Sequence, residues 1–115
     1  MMNSKKDEEP FGLSQEVIEK ITSVFNYIPN LEEVIIFGSR AKGNFSLGSD
    51  VDLAVTGSHL TWQDLMDLRI GIENLGLLYT FDIHNLDRIG NKDVKSHIAR
   101  VGKTLWTRQP AAKPA

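Results

Sequence analysis

The sequence contains no cysteine, and this absence removes several kinds of chemistry at once. Disulfide bonds, zinc sites built on thiolates and thiol catalysis are all excluded. No apolar run approaches the roughly 20 residues that span a bilayer, and the first residues are charged rather than signal-like. A net charge of -2 gives no general attraction to nucleic acid, whose binding depends on many phosphate contacts. We therefore expect a cytoplasmic protein that binds neither membrane nor nucleic acid.

The length and composition are those of one small globular domain. The 115 residues are 41% hydrophobic and 24% charged, which is ordinary for a chain that buries a modest core. The polar segment 1–12 and the segment 108–115, which contains two prolines, are predicted to be disordered. The domain itself is expected over residues 13–107.

Helical periodicity is visible in three segments. Ser14 is a plausible N-cap for a first helix, whose apolar residues form one stripe and which stops at Pro29. A second helix is predicted over residues 62–75, where Thr61 and Asp64 resemble a capping box. A last helix contains Val94, Ile98 and Val101 and closes near Gly102.

Strand patterns alternate with these helices. Residues 34–37 form a short apolar strand, residues 50–56 and 78–86 alternate between apolar and polar side chains, and residues 105–106 suggest a final short strand. The fold class is therefore α/β (α+β), with a small mixed β-sheet. Because the polar side chains of the two alternating strands lie on one side, we expect helices on one face and an open, acidic face on the other.

Gly38 to Lys42 follow the first strand and predict a turn that opens a short helix. Backbone N–H groups at such a helix start are unpaired and carry partial positive charge, which favours a phosphate. Gly38 lets the phosphate approach the main chain, and the Ser39 hydroxyl can donate a hydrogen bond. Arg40 and Lys42 can offset phosphate charge. The same Gly-Ser pair also fits a plain strand-to-helix turn, and the ending of a Walker A loop is missing.

Asp50 and Asp52 are two positions apart in a predicted strand, so their side chains project on the same side. Such a pair can converge on one metal ion or bridge two, and Mg²⁺ prefers carboxylate and phosphate oxygens. Asp82 is the natural third ligand if its strand is a neighbour. Ser49 lies between the turn and the carboxylates and can line the pocket. The alternative for Asp50 and Asp52 is a solvated strand edge.

The three histidines give a weaker signal. His84 shares a strand face with Asp82, so it either contacts a nucleotide or is an ordinary polar residue on an open sheet face. His59 and His97 are expected at the surface. No pair of histidines has the spacing of metal ligands.

The string GSRAKGNFSLGSDVDLAV, together with Asp82 in TFDIHNL, resembles the nucleotidyltransferase superfamily that shares the palm fold of DNA polymerase beta. Its form is Gly-Ser, ten residues, Asp-x-Asp, and then a third acid on a later strand. The small size resembles the minimal nucleotidyltransferases, the MNT proteins that are commonly encoded beside a HEPN-domain partner. The similarity in element order covers about residues 14–107.

The resemblance implies a role for each matching residue. Gly38 and Ser39 would hold the β- and γ-phosphates of a nucleoside triphosphate, with ATP as the expected substrate. Asp50 and Asp52 would bind two Mg²⁺ ions. Asp82 would complete the metal site and help to deprotonate the attacking hydroxyl.

The resemblance also implies a function, with alternatives. In MNT/HEPN pairs the MNT protein is an antitoxin that transfers AMP from ATP to a tyrosine of the HEPN toxin, so the chain is expected to be a protein adenylyltransferase. A second hypothesis is a non-catalytic antitoxin that neutralises its HEPN partner by occlusion. A third is nucleotide transfer to a small molecule, although enzymes of that kind usually have an added domain for the acceptor.

The predicted helix 62–75 carries more apolar residues than one buried stripe needs. Trp62, Met66 and Ile70 form a second row along it. This row suits an interface with a HEPN protein or with another copy of the chain, which would make a homo-oligomer. Alternatively, loops or the C-terminal segment cover it.

Overall fold

The computed structural model describes residues 9–108, which fold around one four-stranded mixed sheet. The strands are ordered β3-β2-β1-β4 across the sheet. In chain order the elements are α1 (Gln15–Asn26), β1 (Glu33–Phe37), α2 (Ser39–Lys42), β2 (Val51–Thr56), α3 (Trp62–Glu73), β3 (Phe81–Asn85), α4 (Lys92–Val101) and β4 (Lys103–Thr107). Short 3-10 turns occupy Pro10–Gly12 and Leu86–Arg88. The predicted mixed α/β class is confirmed.

Helix α1 begins and ends where the sequence predicts. The Ser14 hydroxyl accepts a hydrogen bond from the Val17 amide at 3.2 Å, which satisfies one of the free N–H groups of the first turn. Ile21 and Phe25 on its inner stripe are buried completely. Pro29, two residues after the C-cap Tyr27, cannot continue the helix.

Two kinds of pairing build the sheet. Strand β1 pairs antiparallel with both β2 and β4, whereas β2 pairs parallel with β3. A parallel pair needs a crossover connection, and α3 supplies it. The main core lies on the face covered by α1 and α3, where the inward side chains of the strands meet those of the helices: Val34, Ile36, Val51, Leu53, Val55, Ile83, Ile21, Phe25, Leu68 and Ile72.

The opposite face is less open than predicted. Ile98 of α4 packs with Phe37 and Ala54 in a second, smaller buried cluster on this side. The prediction of helices on one face alone is therefore wrong. The apolar residues Phe37 and Ala54 alternate with the main-core residues of β1 and β2, so they point to the other face and need a cover of their own.

Several boundaries differ from the sequence prediction. Strand β3 begins at Phe81 rather than at residue 78, because the chain before it forms a turn in which Leu78 is fully exposed. Near the N-terminus, Pro10–Gly12 is an ordered turn, although disorder was expected up to residue 12. Arg108 is also held, by hydrogen bonds to main-chain carbonyls. The remaining parts of the two predicted disordered segments, 1–8 and 109–115, lie outside the described residues.

Among residues 9–108, no helix is both long enough and apolar enough to cross a bilayer.

Helix α3 starts with the predicted capping box. The Thr61 hydroxyl accepts a hydrogen bond from the Asp64 amide at 3.0 Å, and the Asp64 carboxylate accepts one from the Thr61 amide at 2.9 Å. The same carboxylate also accepts from the Asn30 side chain at 2.8 Å, which joins α3 to the loop after α1. These hydrogen bonds, the one from Asn30 first, lower the pKa of Asp64 below its ordinary value.

Replacing Asp64 by Ala should therefore lower the free energy of unfolding by about 1–2 kcal/mol at neutral pH. Because the pKa of Asp64 is lowered in the folded protein, its contribution is present above the ordinary Asp pKa and is lost as pH falls through the lowered value. Urea unfolding of Asp64→Ala and wild type should thus converge at acidic pH. Asp67→Ala, an exposed change on the same helix, is the control; equal losses for both variants would contradict the capping role.

Candidate active site

The carboxylate of Asp52 lies directly against the backbone of Gly38. The antiparallel register pairs Asp52 with Phe37, the last residue of β1, so the chain turns at Gly38 beside Asp52. Gly38 has φ 76° and ψ -154°, a conformation that side chains rarely allow. A Cβ at this position would collide with the Asp52 carboxylate. The turn and the carboxylates, which the sequence placed ten residues apart, are thus in contact through Asp52.

The turn leaves several backbone amides free of helical partners. The amides of Lys42 and Gly43 donate to the carbonyls of Gly38 and Ser39 at 3.1 and 2.9 Å. The amides of residues 39–41 stand earlier in this first turn, where no helical acceptor exists, and no side chain caps the start of α2. Such amides can donate to the oxygens of an anion.

Asp82 stands beside Asp52 on the same side of the sheet. The parallel register pairs the two residues directly, and neighbouring strands are about 4.8 Å apart. Asp50 lies one residue before β2 and is exposed. Burial, then the charge of Asp82 and then that of Asp50, raise the pKa of Asp52 above its ordinary value. The structure therefore brings together all three aspartates that the sequence predicted as ligands.

The donor chemistry of this cluster fits a divalent cation, although the side chains are not already arranged around one. Among residues 9–108, no three His, Asp or Glu side chains form a ready set of metal ligands. One reason is that Asp82 is engaged elsewhere, with its carboxylate 3.1 Å from Nε2 of His84. The residues still supply three carboxylates that repel one another, and a bound cation would relieve this repulsion.

His97 also belongs to this neighbourhood, although it was expected at the surface. It is half-buried, and its ring packs edge-on against Phe37 with the centroids 6.3 Å apart. The charges of His84 and His97 act to lower the pKa of Asp52, but burial and the charges of Asp82 and Asp50 raise it by more. The helical spacing could have indicated this position. His97 lies three residues after Val94 and four before Val101, so it falls on the stripe of the helix that faces the sheet.

Arg40 does not stand where a nucleotide-binding residue would. Its side chain is only 2% exposed, and the guanidinium donates to the carbonyls of Phe11 at 2.8 Å and Ser49 at 3.0 Å. It also lies between the rings of Phe45 and Tyr79, 5.0 and 5.1 Å from their centroids. The predicted contact between this side chain and phosphate is thus not supported, and Arg40 instead fixes the loop that leads to Asp50.

The two remaining predicted residues lie near the turn. Lys42 is exposed at the end of α2, where its charge is free to reach an anion. The Ser49 hydroxyl accepts a hydrogen bond from the Ser46 amide at 2.9 Å, which closes the small turn before Asp50. Their predicted roles at a nucleotide stay predictions.

Replacing Arg40 by Met should destabilise the protein by about 3 kcal/mol, because the carbonyls it satisfies would be left buried without donors. Urea unfolding measures this loss. Lys42→Met, which removes an exposed charge two residues away, should change the stability by less than about 0.5 kcal/mol. Similar losses in the two variants would show that Arg40 does not have this supporting role.

Asp52→Asn should stabilise the metal-free protein at neutral pH. Because the pKa of Asp52 is raised in the folded state, its ionisation has no effect below the ordinary Asp pKa and becomes fully unfavourable above the raised value. Thermal unfolding in EDTA should therefore show the variant as more stable at neutral pH and equal to wild type at acidic pH.

Added Mg²⁺ should make the wild type more stable than the Asp52→Asn variant. At 100 times its Kd, the ion should stabilise the wild type by about 2.7 kcal/mol, and the Asp52→Asn substitution should remove most of this gain. The exposed change Asp93→Asn should leave the response to Mg²⁺ intact. An Asp52→Asn protein that still responds fully to Mg²⁺ would exclude this carboxylate as a ligand.

Comparison with known families supports this geometry. The sequence model of the family "Polymerase beta, Nucleotidyltransferase" matches residues 19–111, a range that includes the glycine turn and the three aspartates. No curated protein gives a significant match.

Similar solved structures come from toxin–antitoxin pairs. A toxin–antitoxin structure with AMP-PNP is 25% identical at a TM-score of 0.62, over 80% of this chain and 74% of that chain. A mutant of the toxin–antitoxin MntA-HpeT is 26% identical at a TM-score of 0.61, over 84% and 75%. The tri-AMPylated Shewanella oneidensis HEPN toxin in complex with MNT antitoxin is 22% identical at a TM-score of 0.59, over 82% and 72%, and shows a shared fold.

The match to the family therefore extends over most of the chain, and the same fold occurs in MNT antitoxin complexes with HEPN toxins. The resemblance inferred from the glycine-serine turn and the aspartate pair is confirmed. This chain belongs to the polymerase beta nucleotidyltransferase family.

Proposed function

We propose that this protein is a cytoplasmic, Mg²⁺-dependent antitoxin that transfers AMP from ATP to a tyrosine hydroxyl of a HEPN toxin. The observation that carries the proposal is the Asp52 carboxylate lying against Gly38, with Asp82 directly beside it in the sheet. Similarity to toxin–antitoxin structures, one of them with AMP-PNP, supports the nucleotide and the partner.

The turn at the end of β1 would hold the nucleotide. Gly38 and Ser39 start α2, where amides without helical partners can donate to the β- and γ-phosphates. Lys42, exposed at the other end of this short helix, can offset part of the phosphate charge. Because Gly38 has no side chain, the phosphates can approach the main chain beside Asp52.

Asp50, Asp52 and Asp82 would hold two Mg²⁺ ions through their carboxylate oxygens. When bound, such ions stabilise the attacking and departing oxygens of an in-line displacement. Binding would also remove the repulsion among the three carboxylates that raises the pKa of Asp52.

The transfer itself is a displacement at phosphorus. The hydroxyl oxygen of the acceptor forms a bond to the α-phosphorus as the bond from this phosphorus to pyrophosphate breaks, and the hydroxyl proton passes to the carboxylate of Asp82. Asp82 suits this role because it is exposed on the edge strand β3, where an acceptor can reach it.

A second candidate function is neutralisation of a HEPN toxin by occlusion, without transfer. The contact between Asp82 and His84 favours this alternative, because it keeps the third carboxylate out of a ready ligand set. In that case the nucleotide site would be vestigial and the antitoxin would act through its surface.

Label transfer separates the two functions. The protein is incubated with Mg²⁺, α-labelled ATP and a HEPN-domain protein from the same genome, and we expect the label on a tyrosine of the HEPN protein by mass spectrometry. Asp50→Asn combined with Asp52→Asn should reduce transfer by about 100-fold or more, since the ligands that would hold the charge-balancing Mg²⁺ ions are removed. Asp87→Asn combined with Asp93→Asn removes the same charge from exposed positions and is the control.

Toxicity in cells provides the second readout. If the wild type transfers no label and the Asp50→Asn/Asp52→Asn variant still neutralises the toxin, occlusion is the function and the transfer proposal is wrong. If the variant fails in both readouts, neutralisation depends on the carboxylates, as we expect.

A further inference from the structure

We propose that a cavity next to Asp82 binds an acidic side chain of the acceptor polypeptide, close in sequence to the residue that carries the acceptor hydroxyl. The cavity, called here the arginine cavity, has a volume of about 430 Å³ and lies between helix α3 and the edge strand β3. This volume is within the range of sites that bind small ligands and side groups. The inference rests on the proposed function, because it adds a subsite for the acceptor of that reaction.

The lining of the arginine cavity has the chemistry of an anion site. Its charged residues are Arg69 and Arg88, and there is no Asp or Glu among the described residues that line it. The chain as a whole has a net charge of -2, so the cavity is cationic on an acidic protein. Arginine is the side chain best suited to planar anions such as a carboxylate. Uncharged side chains form much of the remaining wall: Trp62, Leu65 and Asn85.

Both guanidinium groups are available to a ligand. Within residues 9–108, neither of them forms an ion pair with a carboxylate. Arg69 donates one hydrogen bond, from Nη2 to the Ile83 carbonyl at 2.7 Å, and this bond fixes its guanidinium against β3. Since a guanidinium has five N–H donors, others remain for an anion. A guanidinium that is already fixed also loses less conformational entropy when it binds.

One side chain connects the arginine cavity with the reaction site. The His84 ring lines the cavity, and its Nε2 lies 3.1 Å from the Asp82 carboxylate. Because a strand rises about 3.3 Å per residue, the Cα atoms of Asp82 and His84 are about 6.6 Å apart. An extended acceptor chain covers the same distance in two residues. A hydroxyl held at Asp82 therefore puts the side chain two positions away next to the cavity.

The strand order puts the cavity on the acceptor side of the reaction. Under the proposed function the phosphates lie at the turn after β1, and the attack on the α-phosphorus is in line, from the side opposite the departing pyrophosphate. Because β2 stands between β1 and β3, that side is the edge formed by β3. A group bound in the cavity thus belongs to the acceptor and not to ATP.

A polypeptide with a single acidic side chain fits this arrangement better than a polyanion does. Asp82 and its neighbours Asp50 and Asp52 stand beside the cavity and would repel a chain of phosphates, which needs many cationic contacts. A peptide can instead place one carboxylate on the two arginines and a neutral hydroxyl at Asp82. The occupant we commit to is therefore a Glu or Asp side chain of the acceptor.

The test uses two synthetic peptides as probes, Ac-Gly-Glu-Gly-Tyr-Gly-Glu-Gly-amide and the same peptide with Gln in place of each Glu. Binding is followed by NMR of the isotope-labelled protein, which has two tryptophans. Trp62 lines the cavity, whereas Trp106 lies on β4 at the opposite edge of the sheet. We expect the acidic peptide to shift the indole signal of Trp62 but not that of Trp106. Its Kd should be about 5- to 10-fold lower than that of the neutral peptide, the effect of two partly exposed charge pairs.

Substitution of the arginines should remove this preference. Arg69→Gln combined with Arg88→Gln should bind the two peptides equally. Arg88→Gln alone should lose part of the preference while it keeps the hydrogen bond from Arg69 to β3, so it separates anion binding from any effect of Arg69 on the fold. Lys92→Gln combined with Arg100→Gln removes the same charge from exposed positions on α4 and is the matched control, which should keep the full preference.

The inference is overturned if wild type binds the two peptides equally or binds neither, or if the double arginine variant keeps the preference. It is also overturned if AMP, and not the acidic peptide, shifts the Trp62 signal in an arginine-dependent way, because the cavity would then hold a nucleotide. Label transfer to a HEPN protein without any preference for the acidic peptide would leave the proposed function intact and this inference wrong. A preference for the acidic peptide without label transfer would establish the anion site and refute the proposed function.

Discussion

The contact between Asp52 and the backbone of Gly38 is the constraint on which the site depends. It exists because β1 and β2 pair antiparallel with Phe37 opposite Asp52, so that the chain leaves the sheet next to the carboxylate. Any side chain at residue 38 would occupy the space that the carboxylate fills. Under the proposed function, the turn that would bind phosphate and the carboxylate that would bind a cation are thereby brought within reach of one nucleotide, since the cation would bridge the carboxylate and the phosphates.

Much of this arrangement could be predicted from the sequence. The alternation of side chains in β2 correctly assigned Asp52 to the face opposite the main core, whereas Asp50 lies one residue before the strand. The sequence placed Asp82 beside the other two aspartates only if its strand was a neighbour of β2. The parallel pairing of β2 and β3 meets that condition. Helix α1 and the capping box of α3 could be predicted, because the residues that indicate each of them are only a few positions apart in the chain.

Features that depend on contacts between residues far apart in the chain could not be predicted in this way. Arg40 was expected to contact phosphate, but its partners are Phe11, Ser49 and Tyr79, which lie far apart in the chain. Composition gives no indication that three separate segments converge on one guanidinium. The packing of α4 against Phe37 was missed for a similar reason. Nothing in the residues near Ile98 indicates which face of the sheet this side chain packs on.

Arg108 anchors the end of strand β4 to the loop that follows α1. Its guanidinium donates to the carbonyls of Ile28 at 2.6 Å and Leu31 at 2.8 Å, beyond the end of α1, and lies over the ring of Trp106. Strand β4 is at the edge opposite β3, and its last residue pairs with the first residue of β1. The end of β4 therefore lies diagonally across the sheet from the three aspartates, so a fluorophore attached at the exposed Thr107 would stand on the side away from the proposed nucleotide site.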